Sequence, residues 1–352
     1  MKIILTGGGT AGHVSPHLAI LNELKNHYDQ IIYIGSHNGI EKEMLKPYKE
    51  VVYYPITTTK LVRNKILKNV LIPFQLIKGI HESRKILKQE KPNIIFSKGG
   101  YVALPVVIAS RRYKIPVVAH ESDLKIGLAN KLSKRNAKVI CTTFKQTADG
   151  IKAKGVYTGS ALKYSNNLSQ NECKQKLEII TNKPVLLVTG GSLGAKFIND
   201  RIREEIKLIT QKYYVIHLCG KNNLDSTLNN IKDYKQIEFT NDMMTYLTAA
   251  DIVVSRAGSN TIFEIACLKK PMLLIPLPKG NSRGDQIDNA KYFNKNGYAN
   301  FVSQEQLQYD GILKHIDRTY RDRHELVNNL KNANTQPANE KIVEIILKTS
   351  KI

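Results

Sequence analysis

Three glycine turns hold the residues whose type and spacing point most directly to chemistry. They are Gly7-Gly8-Gly9-Thr10-Ala11-Gly12, Ser97-Lys98-Gly99-Gly100-Tyr101 and Gly190-Gly191-Ser192-Leu193-Gly194, and each follows a short β-branched run. Glycine lets the backbone approach a ligand closely, and the helix behind it offers unpaired N–H groups at its positive dipole end. Such turns suit phosphorylated ligands, although tight strand-to-helix packing uses the same residues. Two histidines stand beside them: His13 at the first turn's helix start, and His120 closing the run Val117–Ala119. Imidazole titrates near neutrality and suits a general base.

Gly7-x-Gly9-x-x-Gly12 also satisfies the dinucleotide fingerprint of an NAD-dependent oxidoreductase. That fingerprint calls for an acidic residue about 20 positions further on, at the end of the second strand. Here the strand ends Ile34-Gly35-Ser36-His37, without a carboxylate. No GxxxxGK[ST] pattern occurs, which argues against a P-loop kinase or ATPase.

The elements that must position these turns follow from pattern. Strands are expected at Ile3–Thr6, Ile31–Ile34, Val51–Tyr54, Ile94–Phe96, Val117–Ala119 and Val139–Cys141, with helices over Pro16–Lys25, Lys65–Gln89, Val102–Arg112 and Leu128–Arg135. Strands alternating with helices imply a parallel sheet covered on both faces. The series restarts with a strand at Pro184–Thr189 and a helix over Lys196–Leu208. Further strands follow at Val215–Leu218, Ile237–Phe239, Ile252–Ser255 and Leu273–Ile275, and helices near 242–249, 259–268 and 285–296. The polar stretch Ser165–Asn171 reads as a linker, and Gln304–Lys348 is helical by period with a break at Pro337. The expected fold is α/β, with two doubly wound Rossmann-like domains facing a cleft. Their bounds are 1–160 and 161–336, followed by a C-terminal helix at 337–352.

With 352 residues, 42% of them hydrophobic, the chain can bury two cores, which excludes a disordered or fibrous protein. It carries 53 Lys and Arg against 30 Asp and Glu. Residues 1–159 hold 26 of those cations against 10 acids. Such charge suits nucleic acid, an anionic membrane or a phosphorylated substrate. Trp is absent and no helix-turn-helix, zinc or RNP pattern occurs, so nucleic acid is not expected. Cys141, Cys173, Cys219 and Cys267 form no CxxC pair and read as buried small hydrophobes. No signal peptide or apolar run of about 20 residues is found, which places the expected site of action on the cytoplasmic side.

Five segments together resemble one family. Thr6-Gly-Gly-Gly-Thr-Ala-Gly-His13, Lys98-Gly-Gly-Tyr101, His120-Glu-Ser-Asp123, Gly190-Gly-Ser-Leu-Gly-Ala195 and Ser255-Arg-Ala-Gly-Ser-Asn-Thr-Ile-Phe-Glu264 are similar to the motifs of the MurG family. These are the family 28 N-acetylglucosaminyltransferases that make lipid II from lipid I in peptidoglycan synthesis. The motifs occur in family order and span residues 6–290. The resemblance implies the GT-B fold, with UDP-GlcNAc on the C-terminal domain and an undecaprenyl-diphosphate-linked acceptor on the N-terminal one.

Carried over by motif, Ser192 would bind the donor diphosphate, and Glu264 would grip the ribose hydroxyls, whose protons a carboxylate can accept. Thr240 would read the uracil edge, Gln286 and Asn289 the sugar hydroxyls. Thr10, Ala11 and Gly12 would add donor contacts; Gly99, Gly100, Tyr101 and Asn130 would face the acceptor. Two positions depart from the family: Asp123 stands where Asn is common, and Lys163 where Arg is common. Lysine keeps the charge for a diphosphate but loses the bidentate fork.

The implied reaction is glycosyl transfer with inversion. His13 ranks first as the base, with His120 and Glu121 as an alternative base or acceptor-positioning pair. Glycine-turn N–H groups and a helix dipole can stabilise departing UDP, and no DxD motif is found, so neither a metal nor another cofactor is expected. Lys60–Lys91 holds nine Lys and Arg against two Glu, with Ile66, Leu67, Val70, Leu71, Phe74, Ile77, Ile80 and Leu87 at helical spacing. Pro73 is expected to kink or split it. Basic and apolar together suit an interfacial helix on anionic lipid and a peripheral membrane location. The alternatives are a GT-B transferase acting on diacylglycerol and, from another class, the NAD-dependent oxidoreductase.

Overall fold

The computed structural model describes residues 1–60, 70–163, 168–191, 194–280, 284–333 and 335–350. The chain forms two compact units, Met1–Lys163 with Pro337–Ile352, and Tyr164–Gln336.

The first unit is built on seven parallel strands: β1 (Lys2–Gly7), β2 (Gln30–Ser36), β3 (Val51–Ile56), β4 (Ile94–Gly99), β5 (Val117–Glu121), β6 (Val139–Thr142) and β7 (Gly155–Tyr157). Their order is β3-β2-β1-β4-β5-β6-β7. Side chains alternate across a strand, so β1 feeds two cores. Ile3 and Leu5 pack with Ile20, Leu21 and Leu24 of the helix Ser15–Lys25; Ile4 packs with Ile86 and Leu87 of Ile72–Glu90 and Val106 of Gly100–Ser110. Both faces are covered, which explains strands that read as unbroken apolar runs.

The second unit carries β8 (Val185–Thr189), β9 (Tyr214–Leu218), β10 (Tyr234–Ile237), β11 (Ile252–Ser255), β12 (Met272–Leu274) and β13 (Asn300–Phe301), again parallel, in the order β10-β9-β8-β11-β12-β13. In each unit the strand order reverses beside the first strand, between β1 and β4 and between β8 and β11. Loops leaving the carboxyl ends there diverge and open a crevice.

Several expectations need correction. Pro73 does not kink a helix: it sits in the first turn of Ile72–Glu90, where its missing N–H is tolerated. Of the rest of the expected Lys65–Gln89 helix, Val70 and Leu71 form a turn ahead of it, and residues 65–69, including Ile66 and Leu67, lie outside the described residues. Lys196–Leu208 is two helices, Lys196–Glu204 and Ile206–Lys212. Glu205 takes a non-helical conformation and uses its carboxylate to accept from Ile312 N (2.8 Å) and Leu313 N (3.1 Å), so tertiary bonding overrides local period. The strand expected at Ile237–Phe239 ends at Ile237, and Phe239 is exposed. Part of the supposed linker is helical from Gln170, started by a capping box between Ser169 and Glu172. All four cysteines are free and buried.

The last helix, Asn339–Ser350, returns to the first unit. Asn339 bonds both backbone groups of Leu162 and the Ala19 carbonyl, while Ile342, Val343 and Ile346 enter the β1 core. Ile342→Ala should therefore cost about 2–5 kcal/mol, the range for truncating a buried side chain with little relaxation. Chemical denaturation followed by circular dichroism checks this; an unchanged midpoint would show that the helix is an appendage.

Candidate active site

At the β1/β4 reversal, the carboxyl ends of three strands bring together most of the expected acceptor-side residues. β1 ends at Gly7, and the chain turns through Ala11–His13 before the helix Ser15–Lys25. Within that turn the exposed Thr10 hydroxyl lies 2.9 Å from His13 Nδ1, which fixes the ring's direction. β4 passes into the helix Gly100–Ser110 without a loop, through Gly99 at φ +81° and Gly100 at φ +77°. Side chains rarely adopt this region, and here they would also collide. A Cβ on Gly100 would lie 2.8 Å from the Gly8 carbonyl and 3.5 Å from the His13 ring; one on Gly99 would lie 2.8 Å from Asn130 Oδ1. The glycines thus let His13, the first loop and Asn130 converge, while Tyr101 lays its ring over Gly9.

β5 supplies His120 and Glu121, and the structure gives neither the accessibility of a base. His120 is fully buried: Nε2 lies 3.1 Å from the Gly159 carbonyl and Nδ1 2.6 Å from Lys98 Nζ. Burial, with the Lys98 charge second, holds its pKa well below the usual histidine value. Glu121 accepts from Asp123 N (3.1 Å), Gly127 N (2.8 Å) and Asn130 Nδ2 (3.0 Å). It pins the 123–130 segment. The pair holds the site together, and His13 is the candidate base that remains partly exposed.

Sequence reasoning missed two buried charges here. Lys98 bonds His120 and the Ser122 hydroxyl, and burial brings its pKa down to about 8 against the opposing pull of Glu121 and Asp123. Glu41, fully buried, lies beneath the first loop. A lysine inside an otherwise apolar strand end was a usable signal for the first; the glycines around Glu41 were one for the second. Asn130 Oδ1 is buried without a partner, an acceptor left unpaired beside Gly99. Lys163 is exposed at the end of the first unit.

At the β8/β11 reversal, β8 runs into Gly190-Gly191. Ser192 and Leu193 lie outside the described residues. Gly194, at φ +74°, packs so tightly on the Cys219 carbonyl that no Cβ fits. β11 runs into Arg256-Ala257-Gly258 and the helix Ser259–Cys267. Arg256 donates to the Ile275 (3.0 Å) and Pro276 (3.1 Å) carbonyls, bracing this loop against the next strand end. Glu264, on that helix, is partly buried, and no donor meets its carboxylate among the described residues. Burial pushes its pKa up to about 7.

The remaining donor-side residues divide. Gln286 is partly exposed and accepts from Leu277 N at 3.0 Å. Thr240, partly exposed, accepts from Asp242 N at 3.0 Å. Asn289 is fully buried and donates to the Ala257 carbonyl (3.2 Å), bracing the β11 loop. No group of three metal-ligating side chains occurs among the described residues.

On the helix Ile72–Glu90, Phe74 is 69% and Ile77 64% exposed, beside exposed Lys78, Arg84, Lys85 and Lys88. Val70 and Leu71, just before it, are exposed too. No helix among the described residues is long and apolar enough to cross a membrane.

Two parallel-sheet units, each with a glycine turn at its switch point, define a GT-B type of glycosyltransferase fold. Residues 3–142 match the glycosyltransferase family 28 N-terminal domain and residues 185–345 the family 28 C-terminal domain. The chain belongs to glycosyltransferase family 28. A relative from Clostridium tetani is 45% identical over 350 residues, covering 99% of this chain and 98% of its own. It is named UDP-N-acetylglucosamine--N-acetylmuramyl-(pentapeptide) pyrophosphoryl-undecaprenol N-acetylglucosamine transferase. The crystal structure of Acinetobacter baumannii MurG superposes with a TM-score of 0.78 at 27% identity over 99% of both chains. A UDP-GlcNAc 2-epimerase from Neisseria meningitidis, bound to UDP-GlcNAc, shares the fold at a TM-score of 0.67 and 17% identity, covering 99% of this chain and 100% of its own.

Gly99→Ala should both strain the backbone and press a methyl onto Asn130, costing roughly 1–3 kcal/mol. A thermal midpoint equal to wild type would mean that the β4 turn tolerates a side chain.

Proposed function

We propose that this chain is an inverting transferase that moves GlcNAc from UDP-GlcNAc to undecaprenyl-diphosphate-MurNAc-pentapeptide, making lipid II for peptidoglycan. The full-length relatives bear that name, and one feature of the geometry supports it above others. Glu264 is a partly buried carboxylate with no donor beside it among the described residues, on the helix that leaves the second unit's switch point. A vicinal diol satisfies such a group, since both hydroxyl protons can be accepted by one carboxylate. We therefore assign the ribose to Glu264, the uracil to the backbone near Thr240, the diphosphate to the turn holding Ser192 with Lys163, and a sugar contact to Gln286. Thr10, Ala11 and Gly12 add contacts to the donor sugar.

The first unit takes the acceptor, with Tyr101, Gly99, Gly100 and Asn130 facing it and Asp123 nearby. In the chemical step an acceptor hydroxyl forms the new bond to the sugar C1 while the bond from C1 to the UDP oxygen breaks. The bonding pair leaves with UDP, and the hydroxyl proton passes to His13. N–H groups of the third glycine turn meet the charge that develops on the diphosphate. The exposed Leu71, Phe74 and Ile77 with Lys78 and Arg84 give a lipid-linked acceptor a docking face on an anionic membrane, so we place the enzyme at the membrane as a peripheral protein on the cytoplasmic side.

Transfer of labelled GlcNAc from UDP-GlcNAc to a lipid I analogue in vesicles tests the reading; no transfer to it, with transfer to diacylglycerol instead, would overturn it. His13→Ala should lower kcat by about 10²–10⁴ with UDP affinity kept, and remove the acidic limb of the pH–rate profile. Near-normal kcat in that variant removes the base assignment.

Glu264 yields a pH signature of its own. Its folded value, about 7, lies above the ordinary 4.5, so ionising it works against folding as pH rises through that window. A bound ribose needs the ionised form and should pull the value down. Uridine, which carries no titrating phosphate, should accordingly bind more tightly as pH rises through about 7. Glu264→Gln should bind it weakly and with a flat profile, a loss of about 1–3 kcal/mol at high pH. Calorimetry of both proteins at pH 6 and 8 decides, and equal uridine affinity in the two would remove the ribose assignment.

A further inference from the structure

The first glycine loop reads as a phosphate cradle, but the structure puts an acid in it. Glu41, on the short helix Ile40–Leu45 after β2, is fully buried beneath the loop. Its Oε2 accepts from Gly9 N at 3.2 Å, and its Oε1 accepts from Ser36 N at 2.8 Å and from the Ser36 hydroxyl. The surrounding glycines make room for this one side chain. A Cβ on Gly8 would lie 2.6 Å from the Glu41 carboxyl carbon, and one on Gly35 2.9 Å from its Cγ; on Gly39 it would meet Oε1. Tyr101 closes Gly9 from another side.

The second unit offers the contrast. A Cβ on Gly191, at φ +86°, would meet none of the described residues within 4 Å, and its N–H donates to the Thr189 hydroxyl and not to a carboxylate. An N–H already bonded to a carboxylate cannot also donate to a phosphate, and the fixed negative charge repels one in a low-dielectric setting. We infer that Glu41 is a positioning residue: it fixes the first glycine loop by taking up Gly9 N–H, and the loop receives an uncharged, hydroxyl-bearing part of a substrate, not a phosphate. The inference rests on the transferase reading for the identity of that substrate, a sugar, but its anion arm does not. Burial first, and the Glu41 charge second, raise the phenol pKa values of Tyr33 and Tyr101.

The experiment uses full-length Glu41→Gln beside wild type. Saturating UDP first occupies the donor site, and calorimetry then measures binding of inorganic diphosphate. Glu41→Gln, which frees the loop of its charge, should bind diphosphate at least about 5-fold more tightly than wild type, a gain that general structural damage does not produce. Its kcat for transfer should fall about 10-fold or more, with UDP affinity within about twofold of wild type, because a loosened loop misplaces His13. Equal diphosphate binding in the two proteins, or wild-type kcat in Glu41→Gln, overturns the proposal. Should that variant not fold, Gly8→Ala, whose methyl displaces the carboxylate, must show the same loss of kcat; a folded Gly8→Ala at wild-type kcat overturns the proposal equally. A wild-type protein that transfers no GlcNAc refutes the transferase reading, and the diphosphate arm still decides the role of Glu41.

Discussion

Two consecutive residues at positive φ, Gly99 and Gly100, are the constraint on which the first unit's site depends. They turn β4 into a helix with no intervening residue, so the strand's last side chains and the helix's first face the same few ångströms of space. Lys98 is thereby held inward against His120, and Tyr101 is aimed back over Gly9. The same turn brings the Gly8 carbonyl and the His13 ring within contact of the Gly100 backbone. Any Cβ at either position would push one of these groups away.

The buried polar groups behind this turn form a connected set. Lys98 meets His120 and Ser122; His120 bonds Gly159; Asn130 joins the His120 carbonyl to Glu121; and Glu121 ties down Asp123 and Gly127. Burying charge this way is costly unless every member is paired, and here nearly every one is. The unpaired atom, Asn130 Oδ1, stands beside Gly99. At the second unit's reversal point Glu264 is partly buried, with no donor beside its carboxylate among the described residues.

The sheets were legible in the sequence because parallel strands buried on both faces must read as apolar runs, and Ile3–Thr6 or Ile252–Ser255 have no other plausible use. Short edge strands were not: β7 and β13 have three and two residues, too few for a pattern. Nor was the break at Glu205, whose cause is a bond to the N-terminus of a helix more than a hundred residues away. Pro73 was read as a kink because period alone cannot tell a helix interior from its first turn. The motif residues were found, yet their division into exposed and buried was not. His120 and Asn289 look like exposed ligand-binding residues in sequence, and only packing shows that each is fully buried beside a backbone carbonyl.

Glycine is where this ambiguity is sharpest. A glycine after a strand means that something comes close to the backbone, without saying what. At Gly191 a Cβ would meet none of the described residues within 4 Å, at Gly194 the space is filled by the Cys219 carbonyl, and at Gly8 by the Glu41 carboxylate. Two turns of nearly the same composition therefore spend their N–H groups differently: Gly191 donates to the Thr189 hydroxyl and Gly194 to the Gly191 carbonyl, whereas Gly9 donates to the Glu41 carboxylate. A carboxylate beneath the first loop thus sets that loop's charge as well as its shape, for the acid that takes up the Gly9 N–H also repels a phosphate there.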